Sequence, residues 1–503
     1  MTFGRSFFRR VSTGLLSLIG TCGIAADGTF SVPLRERQLF LDEVGVAKIE
    51  NLTRTLHRPI KKGAVIRPDY HSGVTGYQTR SVPLWDHDAQ IFRFWVNGRP
   101  NDLEIGACSY FESKDGLHWS RPYLGQVEYH GSLDNNLVSV LLHGKLTGFE
   151  NVVYDPNDPD PSRRFKGIAR RPGTIQFLYP IASDGVTWRH AAPRVPIRKG
   201  DEDNFSFDVT KRLFIATLRH NGGPYGRAVD LATSTDFKSW NRRELAFHAD
   251  ELDQELGREN MEARLADPTR ARPFGINPAK CFVDVYNMGV SRYEGLYIGF
   301  PAMFHRTANY GFHLVQLVCS RDLESFQRVG DRKTFIGPSR LGAGAYDLTQ
   351  IIGPSGALVR GDELWFYYTG GKYRGELVRK DGKWVPREGF TFDPDRMAIC
   401  LAVLRRDGFV SLDAGEAEGA VETESFQLSG EDLFVNVAAP KGELRVEVFD
   451  TEGQPLARSE PLHGDLLRAP VKWSKGGIAG RKGATVRLRF TLRAGRFYSY
   501  WLE

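Results

Sequence analysis

The sequence predicts an all-β protein, a five-bladed β-propeller followed by a C-terminal β-sandwich. Three observations carry that expectation. First, a strand ending in a Ser/Asp turn and closed by an apolar residue recurs five times: SKDGLHW at 113–119, SDGVTW at 183–188, STDFKSW at 234–240, SRDLESF at 320–326 and a worn copy, RRDGFVS, at 405–411. Second, each copy follows an apolar or aromatic strand (IFRFWV, RFKGIA, LFIATL, LYIGF, LWFYY), which itself follows another strand-like run (TRSVPLWD, ENVVYDP, DNFSFDV, YNMGVSR, PSGALVR). Strands that recur together and in order, at a spacing of roughly 50 to 90 residues, mark repeated blades better than a sandwich with chance turns. Third, the repeat stops after Leu412, and SFQLSG, LFVNVAA, LRVEVFD, PVKWS and TVRLRFTLRAGRFYSYWL alternate in the manner of a small sandwich.

Taken in order, residues 1–26 read as an export signal. Arg5, Arg9 and Arg10 precede a short apolar run, 11–25, and the small pair Ala25-Ala26. That run is short for a membrane span, and no later apolar run is long enough to cross a bilayer. A secreted or periplasmic location is therefore expected, with no stable membrane insertion. Residues 27–68 read as a leading segment that packs along the propeller or closes its last blade. Arg67-Pro68-Asp69 opens blade one. The cluster Asp155-Pro156-Asn157-Asp158-Pro159-Asp160-Pro161 is a rigid turn, because proline fixes φ and Asp/Asn side chains bond their own backbone. Residues 250–272 break the strand pattern with helix formers and predict an inserted surface helix. Residues 373–395, carrying KDGK, predict a hairpin at a blade edge. The propeller is placed at 27–418 and the sandwich at 419–503.

Composition narrows the function. A net charge of +6 on 503 residues, with no Lys/Arg block among the aromatics, argues against a nucleic-acid partner. The chain has 32 Phe, 18 Tyr and 9 Trp, which suits packed sheets and sugar-stacking surfaces. Export permits disulfides among Cys108, Cys281, Cys319 and Cys400, but Cys108, Cys319 and Cys400 sit in apolar third strands and read as buried free thiols. Neither CxxC nor a His/Cys cluster at zinc spacing occurs, so no metal and no cofactor are expected. Ser-His-Asp patterns, GxSxG and phosphate-cradling glycine loops are likewise missing.

The repeat also locates a candidate site. In a propeller the first strand of each blade lines the central channel, and the leading ends of those strands converge on one mouth. Superposing ENVVYD on DNFSFD aligns Glu150 with Asp203 and Asn151 with Asn204; Tyr286 and Asn287 follow in blade four, and Pro354 and Ser355 in blade five. Such a ring offers carboxylates for proton transfer and cation stabilisation and amides for hydroxyls. Asp347 and Asp284, each just ahead of a blade's first strand, are further acids. Arg219 and His220 in blade three, His305 and Arg306 in blade four, and Lys372 with Tyr373 in blade five are candidate substrate contacts.

With these turns and this architecture the chain resembles the family 32 glycoside hydrolases and the related family 43 and family 68 propellers. SKDGLHW and STDFKSW resemble the blade turns common in those enzymes. The resemblance spans most of the chain and rests on architecture more than on active-site signatures. Blade one carries no Asn-Asp-Pro type motif, and the Arg-Asp-Pro and Glu-Cys type motifs of those families are not present as written; in blade one, Asp86 and Asp88 lie at the far end of the strand. The resemblance implies hydrolysis of glycosidic bonds by paired carboxylates. The expected activity is an exported glycoside hydrolase acting on poly- or oligosaccharide, with Asp203 and Glu150 as the acid/base or nucleophile pair and Asp347 in reserve. Asn151, Asn204 and Asn287 would orient the sugar. Two alternatives stand beside it: a non-catalytic carbohydrate-binding propeller, and a glycoside phosphorylase drawing phosphate to Arg219, His220, His305 and Arg306.

Overall fold

The fold is described from a computed structural model, which covers residues 30–503 apart from 69–73, 101–106, 143–144, 171–175, 179, 191–194, 199, 343, 381–382 and 392. The expected export signal and Asp69 lie outside the described residues.

Five antiparallel blades follow in chain order. The first strand of each is Val74–Gln78, Phe149–Tyr154, Asn204–Asp208, Phe282–Tyr293 and, in blade five, the broken pair Gln350–Ile352 and Leu358–Arg360. Blade three is the plainest: Asn204–Asp208, Leu213–Asn221, Arg227–Ser234 and Asn241–Phe247 pair as neighbours. Blade five takes its outermost strand from far upstream, because Ile60–Ile66 pairs with Met397–Arg405. A propeller closed this way joins its two ends through main-chain hydrogen bonds.

Side chains of the inner strands complete the ring. Ser81 Oγ accepts from Val152 N at 2.9 Å (blades one and two), and Asn151 Nδ2 donates to Asp203 O at 3.3 Å (two and three). Ser206 Oγ donates to Val290 O at 2.6 Å (three and four), and Asn287 holds Gly353 through both its main-chain groups at 3.0 and 3.3 Å (four and five). Thr369 Oγ1 accepts from Thr79 N at 2.9 Å (five and one). These bonds satisfy polar groups that the channel wall would otherwise bury unpaired.

Four of the five predicted turns share one mechanism. In the copies at Asp115, Asp184, Asp236 and Asp322, the carboxylate accepts the N–H groups two and three residues on. Burial opposes ionisation in each, but the hydrogen bonds outweigh it and hold all four carboxyls below the usual range. The worn fifth copy departs. Asp407 is fully buried and accepts from Arg37, Tyr293, Ser499 and Asn436, with the last two at 2.6 and 3.0 Å. Arg37 in turn stacks 3.8 Å over the Trp501 ring. The fifth turn has thus become a bolt between leading segment, blade four and sandwich.

The sandwich is built around Leu433–Phe449, whose register breaks between Ala439 and Leu444. Its first half pairs with Gly495–Leu502 and its second with Thr485–Arg493. The same sheet system takes in Val410–Ala414, Gly419–Thr423, Val46–Glu50, Thr53–Leu56 and Gln38–Leu39. Upstream strands around 38–56 and the strand after Asp407 therefore pair with the sandwich rather than with a blade. One buried apolar cluster runs from Phe300, Phe335 and Phe366 of the blades through Phe409 to Val446 and Phe490.

The predicted helix is Glu251–Ala266, capped by Asp250 and Asp253. Gly257 lets it close on the sheet, since a Cβ there would stand 2.2 Å from Val283 Cγ2. The predicted hairpin is Leu377–Lys380 paired with Lys383–Pro386. Cys108, Cys319 and Cys400 are buried free thiols, and Cys281 is a half-buried one.

Candidate functional site

The structure alters the proposed ring in a specific way. Counted from the hairpin that ends each first strand, Asn151 and Asn204 stand level, each joined by an unbroken run to the aspartate, Asp155 or Asp208, that opens the turn. The bulge at Glu150 lies beyond Asn151 and displaces the acid, and Asn287 falls inside a bulge between Val285 and Met288. Each bulge adds a residue, and a one-residue shift turns a strand's side chains to the other face. All three amides are buried and spent on neighbouring strands. Asn151 bonds Asp203 O, Asn204 accepts from Ser355 Oγ at 3.0 Å, and Asn287 clamps Gly353. They staple blades together instead of facing a sugar.

The acids separate in the same manner. Asp203 is buried, and its two oxygens accept Gly200 N and Arg219 N, both at 2.8 Å. It fixes the turn that precedes its own strand. Glu150 stands on the neighbouring first strand, and its side chain lies outside the described residues. Asp347 is not brought to the ring: it is buried beside blade five, 2.6 Å from Lys61 Nζ of the outermost strand and 2.9 Å from the Tyr368 hydroxyl. Asp284 is buried between Arg306 Nε at 2.8 Å and Arg227 Nη1 at 3.2 Å.

Four of the basic candidates are also accounted for. Arg219 pairs with Asp201 and donates to Asn221 at 2.7 Å. His220 lies 2.9 Å from Asp230, which also holds Arg242. His305 is buried beneath the helix, stacked 5.0 Å from Phe312 and 3.3 Å from Asn260. Burial lowers its pKa to about 4, so it is neutral near pH 7. Lys372 pairs with Asp393 and Asp395 at 3.0 and 3.3 Å.

A different set of groups meets at the mouth. Glu202, one residue before Asp203, receives Arg80 Nε at 3.0 Å and a second bond from Arg80 Nη2. Arg80 also donates to Gln78 at 3.3 Å. Glu202 is within hydrogen-bond reach of Tyr286, which accepts from Arg374 at 3.2 Å and from Gln350 at 3.4 Å. Arg374 also stacks 4.8 Å over the Tyr286 ring. Behind Tyr286 stands His313, buried and 4.6 Å away ring to ring. Blades one, three, four and five thus contribute to one connected cluster, although its members span Gln78 to Arg374 in sequence. Burial first, then the charge of Glu202, raises the Tyr286 pKa, so the phenol keeps its proton at neutral pH and serves as a donor. Glu202, Tyr286, Gln78 and Gln350 are each 7 to 8% exposed, whereas the Asp407 carboxylate has no exposed surface and only its partner Arg37 reaches 7%.

One signal in the sequence pointed here: the acid run Asp201-Glu202-Asp203 ahead of the blade-three strand. Arg80, by contrast, sits in TRSV with nothing local to mark it. Among the described residues no group of His, Cys, Asp and Glu is arranged to hold a metal ion.

No protein-family model matches the chain, and no curated protein matches it in sequence. Solved structures similar to it include one described as a glycoside hydrolase (11% identity, 69% of this chain and 92% of that one, TM-score 0.41). Others are the catalytic domain of the Coprinopsis cinerea GH62 α-L-arabinofuranosidase (13%, 69% and 97%, TM-score 0.42) and the Bombyx mori GH32 β-fructofuranosidase BmSUC1 (12%, 88% and 93%, TM-score 0.35). At these identities and scores the similarity assigns no residue a role.

Proposed function

We propose that this chain is a carbohydrate-active propeller that hydrolyses glycosidic bonds at the mouth formed by Glu202, Arg80, Tyr286 and Arg374. The observation that carries the reading is the convergence of four blades on a carboxylate held by a guanidinium and faced by a protonated phenol. A carboxylate so held suits the face of the sugar where positive charge develops in an oxocarbenium-like transition state. Tyr286 and Arg374 supply donors for hydroxyls or the departing oxygen. Glu150, on the adjacent first strand, is the proposed second carboxylate, and Asp203 is a positioning residue that sets the Glu202 turn. The substrate is an oligo- or polysaccharide, and the proposal includes export, on the signal-like pattern of residues 1–26.

Release of reducing ends from a panel of fructans, arabinans, xylans and galactans, with and without inorganic phosphate, tests this directly. Phosphate-independent release that is lost in Glu202→Gln supports hydrolysis. Release that requires phosphate identifies a phosphorylase. Binding with no release by the wild type identifies a binding module.

A further inference from the structure

Three segments outside the blade repeat meet beside the mouth. They are the loop after the helix, carrying Phe274; the turn that adds the strand Tyr310–Val315 to blade four; and the insertion between the strands Glu363–Gly371 and Met397–Arg405 of blade five, carrying Arg387 and Phe390. Phe274 meets Tyr310 edge to face at 5.0 Å and Phe390 at 5.8 Å. The Arg387 guanidinium lies 4.6 Å over Phe274 and 5.0 Å over Tyr310, and it also donates to the Tyr310 hydroxyl. Phe274 remains 37% exposed.

This wall is continuous with the mouth through one side chain. Arg374 donates from Nη1 to Tyr286 in the mouth and from Nε to the carbonyl of Asn309, the residue before Tyr310. One arginine head thus joins the mouth to the main chain that carries Tyr310. A partly exposed phenyl ring backed on one face by a guanidinium matches the chemistry of a pyranose or furanose unit, which presents C–H groups on its face and hydroxyls at its edge.

We propose that Phe274, Tyr310, Phe390 and Arg387 form a second glycan subsite, next to the mouth, so that the substrate is a chain of several sugar units rather than a disaccharide. The inference rests on the reading of the mouth as a glycan site. It also gives the three added segments a shared purpose, since each contributes a ring or a cation to one surface.

Isothermal titration of the full chain with two-unit and six-unit oligosaccharides of fructan, arabinan, xylan and galactan tests it. For the series that binds, the six-unit chain is expected to bind about tenfold more tightly than the two-unit chain. Phe274→Ala is expected to bring that ratio towards one, and Phe274→Tyr to preserve it, with melting temperatures close to the wild type in both. An unchanged ratio in Phe274→Ala, or a wild-type ratio near one, overturns the subsite and leaves the mouth standing. Failure of every probe to bind overturns the mouth and the subsite with it.

Discussion

Two buried clusters in this protein use the same ingredients, a carboxylate, an arginine and a tyrosine, to different ends. At the seam between propeller and sandwich, Asp407 receives Arg37, Tyr293, Ser499 and Asn436 and has no exposed surface. At the channel mouth, Glu202 receives Arg80 and faces Tyr286, and both acid and phenol retain a small exposed edge. Composition does not separate them; position does. The seam cluster is covered by the sandwich on one side and blade four on the other. In the mouth cluster Glu202 and Gln350 stand at or just before the start of a first strand, Gln78 and Arg80 stand at the close of the first strand of blade one, and Tyr286 lies at a bulge within that of blade four. The lesson is that a buried ion pair is a site only where the architecture leaves it an approach. The other candidate acids, Asp203, Asp284 and Asp347, are all closed in by backbone or basic partners.

If that distinction is right, substitutions at the two clusters should separate activity from stability. The largest effect is expected at the mouth. Glu202→Gln should lower turnover by about 10²- to 10⁴-fold, read as reducing-end release, while Asp407 variants that still fold should not. Asp407→Ala should instead cost about 3–5 kcal/mol of unfolding free energy in urea, because it strands the buried Arg37 charge. The next effect concerns pH. His305 titrates near pH 4 in the folded protein and near 6.5 when unfolded. The unfolded chain then binds more protons between these values, so this group's contribution is complete above pH 6.5 and falls as the pH drops towards 4. Wild type should lose stability more steeply than His305→Asn across that window, by up to a few kcal/mol in denaturant titrations. The smallest effect is at a staple. Asn287→Ala should cost about 1–2 kcal/mol by leaving Gly353 unpaired, without the loss of turnover that marks the mouth.

Much of the architecture was legible from the residues. The Ser/Asp turns announced the blades because their hydrogen bonds are local, carboxylate to N–H groups two and three residues on. The helix and the hairpin were legible for the same reason, from helix formers and from KDGK. The site was not, because its geometry depends on bulges and closure that no local pattern encodes. Superposing blade sequences assumes equal register, and the bulges near Glu150 and Asn287 break it by one residue. The blade-three strand carries no bulge, so Glu202 was passed over only because Asp203 aligned with Glu150, while Tyr286 was in the ring but without an assigned role. Arg80 escaped altogether, since its partner lies 122 residues away. The fifth turn, read as a worn repeat, had exchanged its local bonds for long-range ones at Asp407.

The central claim is that glycan chemistry belongs to the Glu202–Arg80–Tyr286 cluster. The most direct measurement is a crystal structure of Glu202→Gln soaked with the six-unit oligosaccharide that the wild type binds best. A sugar unit within hydrogen-bond distance of residue 202 and the Tyr286 hydroxyl is the predicted result. A sugar seated elsewhere, with the mouth cluster untouched, would contradict the account.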